Sequence, residues 1–144
     1  MKRTLRSLVF TACALAGMSA FAQQSGAVRI EFQGPGGHSS SNYGRTSAVH
    51  AAGRAVILMQ QTLPAGSYTV TNLTGGNSVN SIASDGLIEL RLRAADATAY
   101  QALVAAVTEI ANAGAAAENA FRNVKVGDLT AGAPAWIRAT VTQP

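Results

Sequence analysis

Val28-Arg29-Ile30-Glu31-Phe32-Gln33 sets the fold, because apolar and polar residues alternate without a break, and the pattern returns at Ile88-Glu89-Leu90-Arg91-Leu92-Arg93. A period of two places Val28, Ile30 and Phe32 on one side of a strand and the charged residues on the other. Strands with one greasy and one charged face belong to a sheet covered on a single side, which is the habit of antiparallel sheets.

The chain between and beyond these strands supplies the cover. Ala48 to Gln61 reads as a helix, with Val49, Ala52, Val56 and Met59 on one face and Ala48, Ala51 and Ala55 on a second, small-residue face that permits close approach of another element. Thr46 or Ser47 is placed to cap it, and Pro64 to Gly66 ends it. Ser67 to Thr74, rich in Tyr, Val and Thr, reads as a second strand; Gly75-Gly76-Asn77 interrupts before Ser78 to Ile82, and Asp85-Gly86 is a turn signal. Leu103, Val107 and Ile110 give a second amphipathic helix over Ala97 to Ala113, with Gly114 as its stop. Ala115 to Asn119 is then a connection and Asn123 to Val126 a short fourth strand, with a further strand candidate at Trp136 to Val141. Strand-helix-strand twice over predicts an α+β fold: a ferredoxin-like split βαβ sandwich, a four-stranded antiparallel sheet with two helices on one face. Such a fold assigns no function by itself.

Length, charge and cysteine bound the function. A chain of 144 residues has room for one ordinary domain. Residues 1–22 run from Met1-Lys2-Arg3 and Arg6 through the apolar Leu8 to Met18 to Ala20-Phe21-Ala22, the order of a cleavable secretory signal, and the apolar run is too short to span a bilayer. The expectation is therefore a periplasmic or secreted protein without a membrane anchor after cleavage, divided into a signal at 1–22, a domain at 23–130 and a tail at 131–144. Cys13 lies in the signal, so the exported chain has no thiol for a disulfide or for redox chemistry. Lys2, Arg3 and Arg6 leave with the signal too, so eight bases face seven acids. The remaining bases are scattered among acids rather than gathered in a stripe, which speaks against nucleic acid as a partner.

The densest local signal is Gly34-Pro35-Gly36-Gly37-His38-Ser39 leading into the first helix. A phosphate loop would need Gly-Lys-Ser/Thr at the helix start, and a serine hydrolase a Gly-x-Ser-x-Gly elbow; neither is present. A catalytic zinc needs about three protein ligands, which His38 and His50 without a nearby cluster of Asp and Glu do not supply. His38 is either an ordinary loop residue or a donor to a substrate oxygen. His50, in the first turn of the helix, reads as a packing or surface residue. Asn80 can be a turn residue, and Arg93 a solvated strand residue paired with Glu31 or Glu89.

Four segments in order, Gly36-Gly37-His38-Ser39, Arg45-Thr46-Ser47-Ala48-Val49-His50-Ala51, Thr69 through Gly75-Gly76-Asn77 to Ile82, and Ile88 to Arg93, resemble the dimerisation (lid) domain of metallopeptidase family twenty. That group includes aminoacylases, glutamate carboxypeptidases and succinyl-diaminopimelate desuccinylase, and the resemblance runs from about Val28 to Thr130. It implies a domain whose copies join sheets edge to edge, with the second strand and first helix at the contact. It also implies substrate-binding roles for three residues: His38 would reach the active site of another subunit and hold the scissile carbonyl oxygen, while Asn80 and Arg93 would contact substrate, often its carboxylate. Nothing in the chain resembles the family's metal-binding motifs, and Ala83-Ser84 stands where a proline is often found.

The resemblance implies a free-standing lid with no catalysis alone and no cofactor of its own, zinc belonging to a partner catalytic domain. Three functions follow as alternatives. One is an association module, as a homodimer or paired with a full-length zinc hydrolase. Another is the lid half of a split zinc-dependent peptidase or amidohydrolase. The last is a binding protein holding a small carboxylated ligand with His38, Asn80 and Arg93.

Overall fold

The computed structural model describes residues 23–144; the leader expected over 1–22, with Cys13, lies outside them. The elements are β1 (Gln24–Gln33), β2 (Gly37–His38), α1 (Ala48–Thr62), β3 (Tyr68–Gly75), β4 (Ser81–Ile82), β5 (Asp85–Ala94), α2 (Ala97–Phe121), β6 (Leu129–Thr130), β7 (Ala133–Pro134) and β8 (Arg138–Thr142). The main sheet is antiparallel throughout in the order β3-β5-β1-β8, the ferredoxin-like arrangement expected from the element order. No helix among the described residues is long and apolar enough to cross a membrane.

The two alternating stretches lie side by side, with Val28 opposite Leu90 and Ile30 opposite Ile88. Directly opposed residues share a face, so Val28, Ile30, Phe32, Ile88, Leu90 and Leu92 form one buried layer beneath the helices. The other face is open, and its charges pair locally. Arg29 holds Glu31 at 2.7 Å and Glu89 at 3.5 Å, and Asn72 donates to Glu89 at 3.1 Å. Arg93 therefore has neither acid as its partner; Ser25 lies opposite it.

Three sequence expectations are corrected. First, α2 does not stop at Gly114 but continues to Phe121, and Asn123 turns the chain in the left-handed region at φ 54°. Gly114 is where α2 touches α1: a Cβ there would lie 2.9 Å from the Ala51 carbonyl oxygen and 2.9 Å from the Ala55 Cβ. The small-residue face of α1 is thus spent inside the domain, against α2, and is not free for a second molecule. Second, neither Thr46 nor Ser47 caps α1 with its side chain. The Thr46 hydroxyl donates to the Ala135 carbonyl at 2.6 Å, and the Ser47 amide donates to the Glu118 carboxylate at 3.1 Å.

Third, the fourth sheet strand is Arg138–Thr142, paired with β1 over Arg29–Gln33, which bears out the further candidate at Trp136 to Val141, whereas Asn123 to Val126 is not a strand. The segment set apart as a tail completes the sheet, and buried Ala135 and Ile137 anchor it. Asn119 acts as a strand substitute at its entrance: its amide nitrogen donates to the Ile137 carbonyl at 3.1 Å and its oxygen accepts from the Ile137 amide at 2.7 Å. Asn119→Ala removes both bonds at a partly buried site, and we expect a loss of about 2 kcal/mol in urea unfolding, with faster amide exchange at Ile137.

Candidate functional site: the histidine loop and the open sheet edge

Gly34 to Arg45 leaves the end of β1 and returns to α1, and it is tied down by backbone. The Gly34 amide donates to the Ser84 carbonyl at 2.8 Å, β2 pairs with β4 so that His38 faces Ser81, and the Ser39 amide donates to the Asn80 carbonyl at 2.8 Å. Gly36 has φ 63°, a left-handed conformation that suits glycine, and a Cβ on it would sit 2.9 Å from that of Ser84. The glycines of the motif therefore let two loops run against each other. Arg45 braces the turn by donating to the Gly36 carbonyl at 3.1 Å.

This ladder brings His38 and Asn80 to one open groove of ≈ 350 Å³, bordered also by Gly36, Asn77 and Ser84. Nδ1 of His38 accepts from the Ser40 amide at 3.3 Å and lies 2.9 Å from the Ser40 hydroxyl. An acceptor at Nδ1 places the neutral ring's proton on Nε2, so the exposed imidazole is a hydrogen-bond donor on its outer side. Arg93 does not join them. It lines a separate surface with Gln23 and Ala65 to Ser67, near the far end of β5 and roughly 25 Å away along the strand at about 3.4 Å per residue. One copy of the chain thus cannot close all three residues on one small ligand.

Beside the histidine loop, a second groove of ≈ 620 Å³ is bordered by Val49, His50, Asn77, Val79 and Ile82. It lies where α1 meets the end of β3, the outer strand of the sheet. Val79 is 98% exposed and Leu73 46%, aliphatic surface beside a strand that is paired on one side only among the described residues. The backbone of that strand is available as well. The Arg93 amide donates to the Ser67 carbonyl at 2.8 Å, so Ser67 and Thr69 turn their polar groups toward β5, while Tyr68 and Val70 turn theirs away from the sheet.

The sequence reading passed over Glu118, which organises the other side of this region. It is fully buried and takes the Ser47 amide at 3.1 Å, Arg54 at 3.1 Å and Arg122 at 3.3 Å, with Nδ1 of His50 3.6 Å away. Arg54 and Arg122 also flank the exposed ring of Phe121, each 4.9 Å from its centroid. A carboxylate in an alanine-rich helix, four residues before an arginine, was the only sequence signal of this network. No group of three or more His, Cys, Asp or Glu side chains that could hold a metal occurs among the described residues.

The sequence model of the peptidase dimerisation domain matches residues 23–119, and the chain belongs to that family. Solved structures repeat the fold. A tripeptidase from Staphylococcus aureus superposes with a TM-score of 0.60 at 18% identity over 84% of this chain and 29% of its own. The aminobenzoyl-glutamate utilization protein from Klebsiella pneumoniae gives 0.59 at 17% identity over 86% and 28%. A dinuclear metal-binding peptidase of the M20 family from Bacillus subtilis gives 0.56 at 17% over 84% and 25%. The chain therefore spans under a third of the length of each. Comparison with the curated proteins finds no match.

Proposed function

We propose that this chain is a non-catalytic association module, exported to the periplasm or beyond, that forms a homodimer by joining the β3 edges of two copies. The carrying observation is that β3 is an outer strand of the described sheet whose Tyr68 and Val70 amides face away from it, on the same edge as exposed Leu73. An unpaired edge next to uncovered aliphatic side chains is what a strand-pairing contact requires. Export rests on the leader-like order of residues 1–22.

A second reading has the same edge pairing with the lid of a full-length zinc hydrolase, or with a separately encoded metal domain. The observation favouring it is the outward Nε2 donor of His38 beside Asn80, suited to a carbonyl oxygen that another chain would present. Zinc in that partner would activate the water for hydrolysis.

Light scattering tests the first reading. We expect the wild-type chain to run as a dimer and Val70→Pro as a folded monomer, because proline at Val70 removes a donor that faces outward and leaves the bonds to β5 intact. Unchanged far-UV circular dichroism separates loss of pairing from loss of fold. A wild type that stays monomeric at all concentrations overturns the homodimer and leaves the heteromeric reading to be tested against a co-exported hydrolase.

A further inference from the structure

The free edge of β3 is not a regular strand. Its pairing with β5 shifts register between Val70 and Asn72, so that Thr71 is an extra residue and Asn72 lies opposite Glu89. The hydrogen-bonding sense of β5 is fixed on its other side, since its register with β1 is continuous and leads into the bond from the Gly34 amide to the Ser84 carbonyl. The odd-numbered residues of β5 therefore turn their polar backbone groups toward β3. Before the bulge the β3 residues facing away are Tyr68 and Val70, opposite Leu92 and Leu90; after it they are Leu73 and Gly75, opposite Ile88 and Gly86. The bulge switches the outward-facing positions from even to odd.

We infer that this switch makes β3 self-complementary in one register, with a second copy of the chain as its partner and the two-fold axis between Thr71 and Asn72. The inference rests on the homodimer proposed above and adds its geometry. In an unbulged strand a two-fold axis sets a residue opposite itself or midway between equivalent neighbours. Here, setting Val70 opposite itself puts Tyr68 against the inward-facing Asn72 of the other copy, and setting Leu73 opposite itself fails in the same way. Only the axis between Thr71 and Asn72 sets every outward position against another: Val70 meets Leu73 of the second copy and Tyr68 meets Gly75, each pair occurring twice. Both copies carry the extra residue at the axis, so the spacing on either side matches.

The side chains fit the same register. Val70 and Leu73 lie opposite Leu90 and Ile88, whose side chains point under the helices, so Val70 and Leu73 share that face and would cover each other across the axis. Thr71 and Asn72 sit together at Glu89: the Thr71 hydroxyl donates to the Glu89 carbonyl at 3.0 Å and the Asn72 amide to its carboxylate at 3.1 Å. Tyr68 would lie over Gly75, which has no side chain to obstruct it.

Oxidative cross-linking reads the register directly. In the full chain carrying Cys13→Ser, the variants Val70→Cys and Leu73→Cys are made singly, co-refolded as a mixture, and combined as a double variant. We expect a covalent dimer from the mixture and from the double variant, and none from either single variant alone, where each cysteine faces a native aliphatic residue. Efficient cross-linking of one single variant with itself, or a dimer in solution that cross-links in no combination, overturns the register while the homodimer stands. A monomer by light scattering for the Cys13→Ser chain overturns both.

Discussion

Glu118→Ala is expected to lower the unfolding free energy by about 3 kcal/mol, the low end of the range for removing one partner of a buried ion pair. Three consequences add up. The carboxylate is fully buried and takes the Ser47 amide, in a first turn that has no side-chain cap, so that amide is orphaned. Among the described residues Arg54 and Arg122 lose the one acid they pair with, but they are 35% and 20% exposed and can turn toward water, which keeps the loss from the top of the range. The alanine also leaves a void between the helices. Glu118→Gln separates charge from shape: the amide oxygen still accepts from Ser47 but no longer holds two cations, and about half the loss is expected. Urea unfolding with an unchanged m-value measures both. A loss below about 1 kcal/mol for the alanine variant would show that the arginines and the helix start find other partners.

Glu118 matters beyond stability because of what it joins. Ser47 starts α1, immediately after the loop that carries His38, and Arg54 lies on the same helix as Ile57. The buried acid therefore sets the height of α1 against α2 and, through α1, both the histidine loop and the surface beside β3. The bracing comes from within the domain, through Glu118, the Thr46 bond to Ala135 and the Asn119 bonds to Ile137.

The fold was legible where a residue's environment is set by its own strand or turn. Val28 to Gln33 and Ile88 to Arg93 announce their faces by alternation, and both appear in the sheet as read. The fourth strand lies where Trp136 to Val141 was only a further candidate, and Asn123 to Val126 was put ahead of it because strand position depends on a length the local pattern does not carry. A helix of 25 residues spans about 37 Å and a strand of 10 about 33 Å, so α2 must run the full length of the sheet before the chain can turn back. A helix ended at Ala113 spans about 25 Å and falls about 8 Å short of the sheet, and only that truncation makes Asn123 to Val126 look like a strand. In the site, His38 and Asn80 were legible as motif residues, but the two-residue β2–β4 ladder that joins them leaves no periodic trace. Arg93 was read on the right strand; its distance from His38 follows from topology alone. The direction of the β3 edge was likewise out of reach, since an inserted Thr71 in Tyr-Thr-Val-Thr-Asn-Leu changes no composition or pattern that a bulge would need.

Gly114 carries the other large effect, because helix propensity and packing oppose each other there. Alanine in place of a mid-helix glycine ordinarily stabilises by about 1 kcal/mol. At Gly114 the new Cβ would stand 2.9 Å from the Ala51 oxygen, the Ala55 nitrogen and the Ala55 Cβ, and two of these are backbone atoms that can yield only if α1 moves. Overpacking of this kind costs about 1–3 kcal/mol, so Gly114→Ala is expected to be destabilising on balance by about 1 kcal/mol and Gly114→Leu by about 3. Gly53→Ala is the matched control: it is also helical, nothing lies within 4 Å of its missing Cβ, and it should stabilise by about 0.5–1 kcal/mol. Opposite signs at Gly53 and Gly114 in thermal unfolding would show that the alanine face of α1 is committed to α2. Equal stabilisation at both would mean that the two helices stand farther apart, freeing that face for a second molecule and moving the dimer contact from the β3 edge toward α1.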